Sequence, residues 1–245
     1  MNTTGAGAIH SEQFVTKELL RDLPEPVQRY MNYTGVVGTP IPKTVHLRQA
    51  GRFRTGPERP WMPMKAKQMY TTDPPGFVWD ARFKVMGLPL IRARDEYKFG
   101  QANMFGKLAG LFTVFDVRGE ELNQGAMLRY LSEMIWFPAA LLGDNITWQE
   151  IDQNSAQVVF SDRGETVSGT MFFDEEGRVT NFTTLRYREI DGNFSLDPWS
   201  TPITDYGQLA GLNLPVGGKA VWNLESGDFT YVELEITEIG YNLSE

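Results

Sequence analysis

From Lys43 onward, apolar and polar residues alternate with the period of a strand that buries one face. In KTVHLRQAGRF, Val45, Leu47, Gln49, Gly51 and Phe53 share one side, and MKAKQMY places Met64, Ala66, Gln68 and Tyr70 together. GFVWDARFKV turns Phe77, Trp79, Ala81, Phe83 and Val85 one way and Asp80, Arg82 and Lys84 the other. LIRARDEYKF sets Ile91, Ala93, Asp95, Tyr97 and Phe99 against Arg92, Arg94, Glu96 and Lys98. Pro74-Pro75-Gly76 and Gly87 punctuate these runs, which predicts an antiparallel meander with one apolar and one polar face.

The period then changes. GKLAGLFTVFDV reads as one strand loosened by its glycines, and RYLSEMIWFPAALLG follows with Met127, Leu128, Leu131, Met134 and Ile135 at helical spacing up to Pro138. Strands resume in TWQEID, AQVVFSD, ETVSGTMFFD and RVTNFTTLRYREI, near Thr204 to Leu212, and in GKAVWNLE and FTYVELEITEI, with hairpin turns at DEEG (174–177) and ESGD (225–228). Ahead of the sheet, Glu12 to Asp22 reads as a helix broken by Pro24 and Pro26, and PVQRYMNYTG as a second that Gly35 stops. The sum is about ten or eleven strands in antiparallel order, interrupted by one helix near 121–137; a sheet that large curls or splits. The predicted class is mainly β with α: a curled antiparallel half-barrel, its concave face covered by that helix as lid or plug, with N-terminal helices near 12–34. The expected organisation is a flexible tail over 1–11 and one domain over 12–245.

Composition narrows the chemistry. The 15 Phe, 9 Tyr and 6 Trp suit a β-core or an apolar cavity. The net charge of −8, without a Lys/Arg run, argues against nucleic acid and against an anionic membrane surface. With no cysteine, disulfides, thiolate metal sites and Cys nucleophiles are excluded. The N-terminal stretch has neither a basic nor an apolar signal region and no apolar run reaches the length of a membrane span, so the default expectation is a cytoplasmic protein. Of the two histidines, His10 falls in the tail and His46 on the polar face of a strand, with no metal-ligand spacing around either. There is no G-x-S-x-G elbow and no GK[ST] phosphate loop. No metal and no cofactor is expected.

FVWDARF, RARDEY and RYLSEMIWFPAALL followed by TW resemble the signature stretches of a bacterial family of uncharacterised domains. The resemblance runs from LPEPVQRYMNYTGVVG to ITEIGY and implies no assigned activity. In architecture, the strand count, the interposed helix and GTMFFDEEGRVTNF are similar to the half-barrels of the LolA- and LppX-like lipoprotein carriers. That second resemblance implies a cavity for acyl chains, by analogy of fold alone.

Asp95 is the sharpest anomaly, a carboxylate on an apolar strand face between Ala93 and Tyr97, with Gln68 and Gln49 on the matching faces of earlier strands. In a dry cavity it would have a raised pKa and serve as a general base or as an anchor for a ligand head group. The favoured alternative is structural: a bulge turns it outward to Arg82 or Arg94, or it sits in an ion pair. The array of Asp80, Arg82, Arg92 and Arg94 reads as a solvated outer face rather than an anion site. Glu133 follows Arg129 by one helical turn, which predicts an intrahelical pair. Trp136, Phe137 and Trp148 are expected to pack the helix end onto the sheet. The cavity would be lined by Gln49, Gln68, Trp79, Phe83, Asp95, Tyr97, Leu131, Ile135 and Trp136. The first reading of function is non-catalytic binding of a lipid or another apolar small molecule. Next comes a barrel filled by its own side chains, and last an enzyme with Asp95 as its base, assisted by Tyr97 or Gln68.

Overall fold

The computed structural model describes residues 13–109, 112–190 and 192–243; the tail over 1–11, with His10, lies outside them. Among the described residues, fourteen strands form one antiparallel sheet. The first six are β1 (Thr44–Phe53), β2 (Met62–Thr72), β3 (Pro75–Val85), β4 (Leu88–Lys98), β5 (Gln101–Leu108) and β6 (Phe112–Val117). After the helix come β7 (Ile146–Asp152), β8 (Ser155–Asp162), β9 (Glu165–Phe173), β10 (Val179–Ile190), β11 (Asn193–Ser200), β12 (Ile203–Leu209), β13 (Leu212–Leu224) and β14 (Gly227–Tyr241). Their order is β6-β5-β4-β3-β2-β1-β14-β13-β11-β10-β9-β8-β7, with β12 pairing β13 beside β11. Each half of the chain is therefore a meander, and the halves are joined where β1 pairs β14.

The predicted faces hold from β1 to β4, except that Phe99, expected inward, falls in the turn after β4 and is exposed. Val45, Leu47 and Gln49 are buried on β1, Met64, Ala66, Gln68 and Tyr70 on β2, and Ala93, Asp95 and Tyr97 on β4. Trp79, Asp95 and Met104 stand opposite one another on β3, β4 and β5 without a register shift at that point, so the bulge that would turn Asp95 outward does not exist. Gly51 is a close-approach position: a Cβ there would meet the Glu233 carbonyl oxygen of β14 at 2.1 Å.

Three expectations are corrected. GKLAGLFTVFDV is a hairpin, β5 turning into β6 after Ala109, which takes a φ of 52°. NFSLDPWS, with its proline and charge, is strand β11; Pro198 pairs with Leu185 while Trp199 faces the core. These additions raise the strand count to 14. The helix expected over Glu12 to Asp22 is only a 3₁₀ turn, Glu18–Leu20. Before it, Val15 exchanges backbone hydrogen bonds with the segment after the next helix (Val15 N–H to the Thr39 carbonyl at 2.9 Å, Gly38 N–H to the Val15 carbonyl at 2.8 Å), which ties it down in extended form.

Helix α1 (Glu25–Thr34) starts with Pro26 in its first turn and ends at Gly35, whose φ of 75° is the left-handed conformation that glycine reaches without a Cβ penalty. It buries Val27, Tyr30 and Met31. Helix α2 (Glu120–Glu133) crosses the concave side, continues as 3₁₀ turns over Met134–Trp136 and Pro138–Leu142, and buries Ala126, Met127, Leu128, Tyr130 and Leu131. It packs against β4 and β5 on one side and β9 and β10 on the other, so the sheet curls around it. Its Asn123 side chain accepts from the Ala102 N–H at 2.7 Å, and Gln124 donates to the Leu185 carbonyl at 3.1 Å. Past its end, Trp136 donates to the Pro215 carbonyl, and Tyr30 and Tyr241 donate to the carbonyls of Ile135 and Trp136. Trp148 caps the last 3₁₀ turn by donating to Leu141. The helix is a plug, buried as deeply as the core it completes. Among the described residues no helix is long and apolar enough to cross a membrane.

Candidate functional site

The inward polar positions of β2 and β4 converge on one residue of α2, and that of β1 joins them through Gln68. Arg129 donates from Nη1 to Asp95 Oδ2 at 2.7 Å, from Nε to Glu133 Oε1 at 3.0 Å and from Nη2 to Gln68 Oε1 at 3.3 Å. Its guanidinium lies 4.9 Å from the ring centre of Trp79 and 5.0 Å from that of Phe77, the geometry of a cation–π contact on each. Gln68 also donates to Glu133 Oε2 at 2.8 Å, as does the Tyr70 hydroxyl at 2.9 Å. Gln49 donates to Gln68 Oε1 at 3.1 Å and accepts from Trp79 Nε1 at 2.9 Å. The intrahelical pair expected from the sequence is present, and it is embedded in a network that reaches across four strands, β1 to β4.

Burial decides the electrostatics. The Asp95 side chain is 3% exposed and that of Arg129 15%. Desolvation pushes the Asp95 carboxyl above the usual carboxylate range, although the charges of Arg129 and Arg186 pull it down. Desolvation works against the Arg129 cation, but the Glu133 and Asp95 carboxylates outweigh it and hold its pKa above the ordinary value. Burial, followed by the Glu133 charge, raises the Tyr70 phenol far above its usual range, so it acts as a donor.

Beside this network lies a cavity of about 190 Å³. Its walls include Phe53, Met64, Ile135, Trp136, Trp199 and Leu234, and its polar lining includes Asp95, Arg129, Glu133, Arg186 and Thr201. Arg186, from β10, stacks 4.6 Å over the Trp199 ring and donates to the Tyr231 hydroxyl at 3.3 Å. Three of these lining residues each keep one buried polar atom without a hydrogen bond among the described residues: Asp95 Oδ1, Arg186 Nε and Thr201 Oγ1. Such orphaned groups cost stability and call for an explanation.

Of the residues expected to line a cavity, Gln49, Trp79, Asp95, Ile135 and Trp136 do so. The other four stand elsewhere. Gln68 is one step back, inside the polar network. Phe83 belongs to a smaller apolar cluster with Met64, Ala66, Ala81 and Ala93, its ring 6.1 Å from that of Trp79. Leu131 lies in the main core. Tyr97 reaches away to donate to Asp162 Oδ2 at 2.6 Å, and Arg163 lies over the Phe99 ring, so the turn after β4 meets the turn after β8. Asp95 pairs with Arg129, not with Arg82 or Arg94. Arg186 and Thr201 were absent from the sequence reading. The alternation that placed Asp95 inward puts Arg186 inward with Phe182, so strand parity was the available signal. Among the described residues, no group of His, Cys, Asp and Glu is arranged to hold a metal ion.

No curated protein matches the chain. Among solved structures it is similar to a DUF1329 family protein from Desulfovibrio piger, at 9% identity and a TM-score of 0.49, covering 83% of this chain and 88% of that one. It is also similar to a LolA superfamily protein from Nitrosomonas europaea, at 9% identity and a TM-score of 0.48, covering 90% of this chain and 93% of that one. The model of the family of unknown function DUF6544 matches residues 13–234, nearly the whole sheet and both helices, and the chain belongs to that family.

Proposed function

We propose that the chain is a non-catalytic binding protein that holds a small apolar molecule with a polar head in the cavity under α2. The observation that carries this reading is the lining itself: aromatic and aliphatic walls, with unpartnered buried atoms on Asp95, Arg186 and Thr201. A head group that donates to Asp95 and accepts from Arg186 relieves both at once. Two carboxylates, Asp95 and Glu133, face two guanidiniums, Arg129 and Arg186, so the polar end is balanced and suits a neutral hydroxyl or amide better than an ion. Size limits the ligand. An engineered apolar cavity of about 150 Å³ takes benzene, and drug-sized ligands occupy about 300 Å³ or more. A space of about 190 Å³ therefore fits a ring or a short acyl segment and excludes a whole diacyl lipid unless α2 moves.

The test is native mass spectrometry of the purified protein, organic extraction of anything bound, and displacement of a fluorescent apolar dye by decanol and by decane. A bound adduct, or displacement by decanol in preference to decane, is expected. Ala220→Phe, which fills the cavity wall, should abolish dye binding while the fold is kept. A protein that carries nothing and binds dye no better than Ala220→Phe would overturn the reading. That result would favour a filled structural domain, which the deep burial of Met127, Leu128 and Leu131 on the plug also supports.

A further inference from the structure

The outer face of β2–β5 holds an arrangement that the concave cavity does not explain. Strand register brings Lys65, Arg82, Arg92 and Lys107 directly opposite one another on four adjacent strands. All four are exposed. Like charges directly opposite in an antiparallel sheet are destabilising, and here three successive pairs carry them. Arg92 is relieved by Asp80. Lys65, Arg82 and Lys107 have no ion-pair partner among the described residues. Lys67 and Lys84 flank the row, and the acids sharing this face of the four strands are Asp80 and Glu96. In a chain of net charge −8, this is a strong local reversal of sign. The cations are scattered in sequence and gather only through pairing, so no Lys/Arg run announces them.

At one end of the same strands, the hairpin tips are apolar where turns are ordinarily polar. Met86 occupies the β3–β4 turn at a φ of 52° and is 97% exposed. That left-handed turn position favours Gly, Asn or Asp. Leu88 beside it is 59% exposed, and at the β5–β6 hairpin Leu108 and Phe112 are 41% and 68% exposed. Arg82 is four residues before Met86, Arg92 four after Leu88, and Lys107 adjoins Leu108. Four strand residues span about 13 Å, so the cations lie within reach of headgroups when the tips enter the acyl boundary.

We propose that this cationic face and its apolar tips form a docking surface for an anionic lipid bilayer. Cations attract the charged leaflet and exposed apolar side chains insert at the interface, a pairing of signals that binds membranes where either alone is weak. A nucleic acid would use the cations but gives the exposed Met86 and Leu88 nothing to bury. The proposal does not depend on what the cavity holds.

The experiment is flotation of the full chain with vesicles of phosphatidylcholine alone and with about one-third phosphatidylglycerol. Binding is expected on the anionic vesicles only, weakening as salt is raised. Each near-surface cation contributes about fivefold in affinity, so Lys65→Gln/Arg82→Gln/Lys107→Gln should bind about a hundredfold more weakly. That variant also loses the like-charge contacts and should melt no lower than the parent, which separates lost docking from lost fold. Met86→Ser/Leu88→Ser should weaken binding while leaving its salt dependence unchanged. Several results would overturn the proposal: no flotation with either vesicle, equal flotation with both, or a triple variant that binds as the parent does. A single-stranded oligonucleotide captured in place of anionic vesicles would likewise overturn it and assign the row to a polyanion.

Discussion

Replacing Arg129 with methionine tests the physical account of the site at its centre. The substitution keeps a helix-forming side chain of similar length but removes the cation and three donated hydrogen bonds. Glu133 retains Gln68 and Tyr70 as donors. Asp95 retains none, since Oδ2 bonds Arg129 and Oδ1 has no partner. Removing one member of a buried pair costs about 3–5 kcal/mol because the other charge is left uncompensated, and a side chain only 3% exposed belongs at the upper part of that range. A domain with about 5–15 kcal/mol of stability would remain folded but weakened. Urea denaturation should show a lower midpoint with the slope unchanged. The loss should also depend on pH. With Arg129 gone, the folded pKa of Asp95 rises further above its unfolded value of about 3.9. Between those values the native state binds more protons than the unfolded one, so stability falls as pH rises through that window and recovers below it. Asp95→Asn in the Arg129→Met background removes the stranded charge and should restore about 1–2 kcal/mol. A loss below about 1 kcal/mol, or one equal at acid and neutral pH, would refute the buried-pair account.

Two further outcomes follow from the packing and the charges. Gly169→Ala should cost about 1–3 kcal/mol in denaturant melts, because the new Cβ would fall 2.2 Å from the Phe182 ring and 2.9 Å from the Thr183 carbonyl oxygen. Asp197 accepts from Ser195 at 2.7 Å and from Arg188 at 2.6 Å, and these bonds hold its carboxyl below the usual range. A lowered folded pKa stabilises above the unfolded value and the gain is lost as pH falls through the folded one. Asp197→Asn should therefore lower the melting temperature at neutral pH, with the difference vanishing in acid.

Much of the sheet was legible because strand alternation is a strong code where one face is buried. The inward sets of β1 to β4, including the unusual placement of Asp95, could be read directly. Legibility failed where tertiary contacts override local pattern. Asp197 and Pro198 disguise β11, yet Pro198 pairs with Leu185 while Trp199 anchors the strand. The segment around Val15 has a helical stripe but finds its backbone partners in residues 38–41. At the site, the inward acid was visible while its cation was not, since Arg129 sits among the apolar residues of α2 and only the helix crossing angle aims it at Asp95. The cationic row of the outer face was legible only in part: Arg82 and Arg92 stand in the array read from the sequence, while strand register, which no single segment encodes, adds Lys65 and Lys107.

The strand order has a consequence for synthesis. The edges of the sheet, β6 and β7, are neighbours in sequence, and its central seam joins β1 to β14, the first strand made and the last. While the chain emerges, the β1–β6 meander can form with β1 as an open edge, and that edge is closed only when residues 227–241 arrive. Bringing together such distant segments is slow, and an unpaired edge is the kind of surface that captures other chains. Arg48 and Arg52 lie along that edge and later meet Glu238 and Glu233 of β14. Arg48 stands opposite Glu238 and Arg52 opposite Glu233, so both ion pairs form together when the last strand docks in its native register.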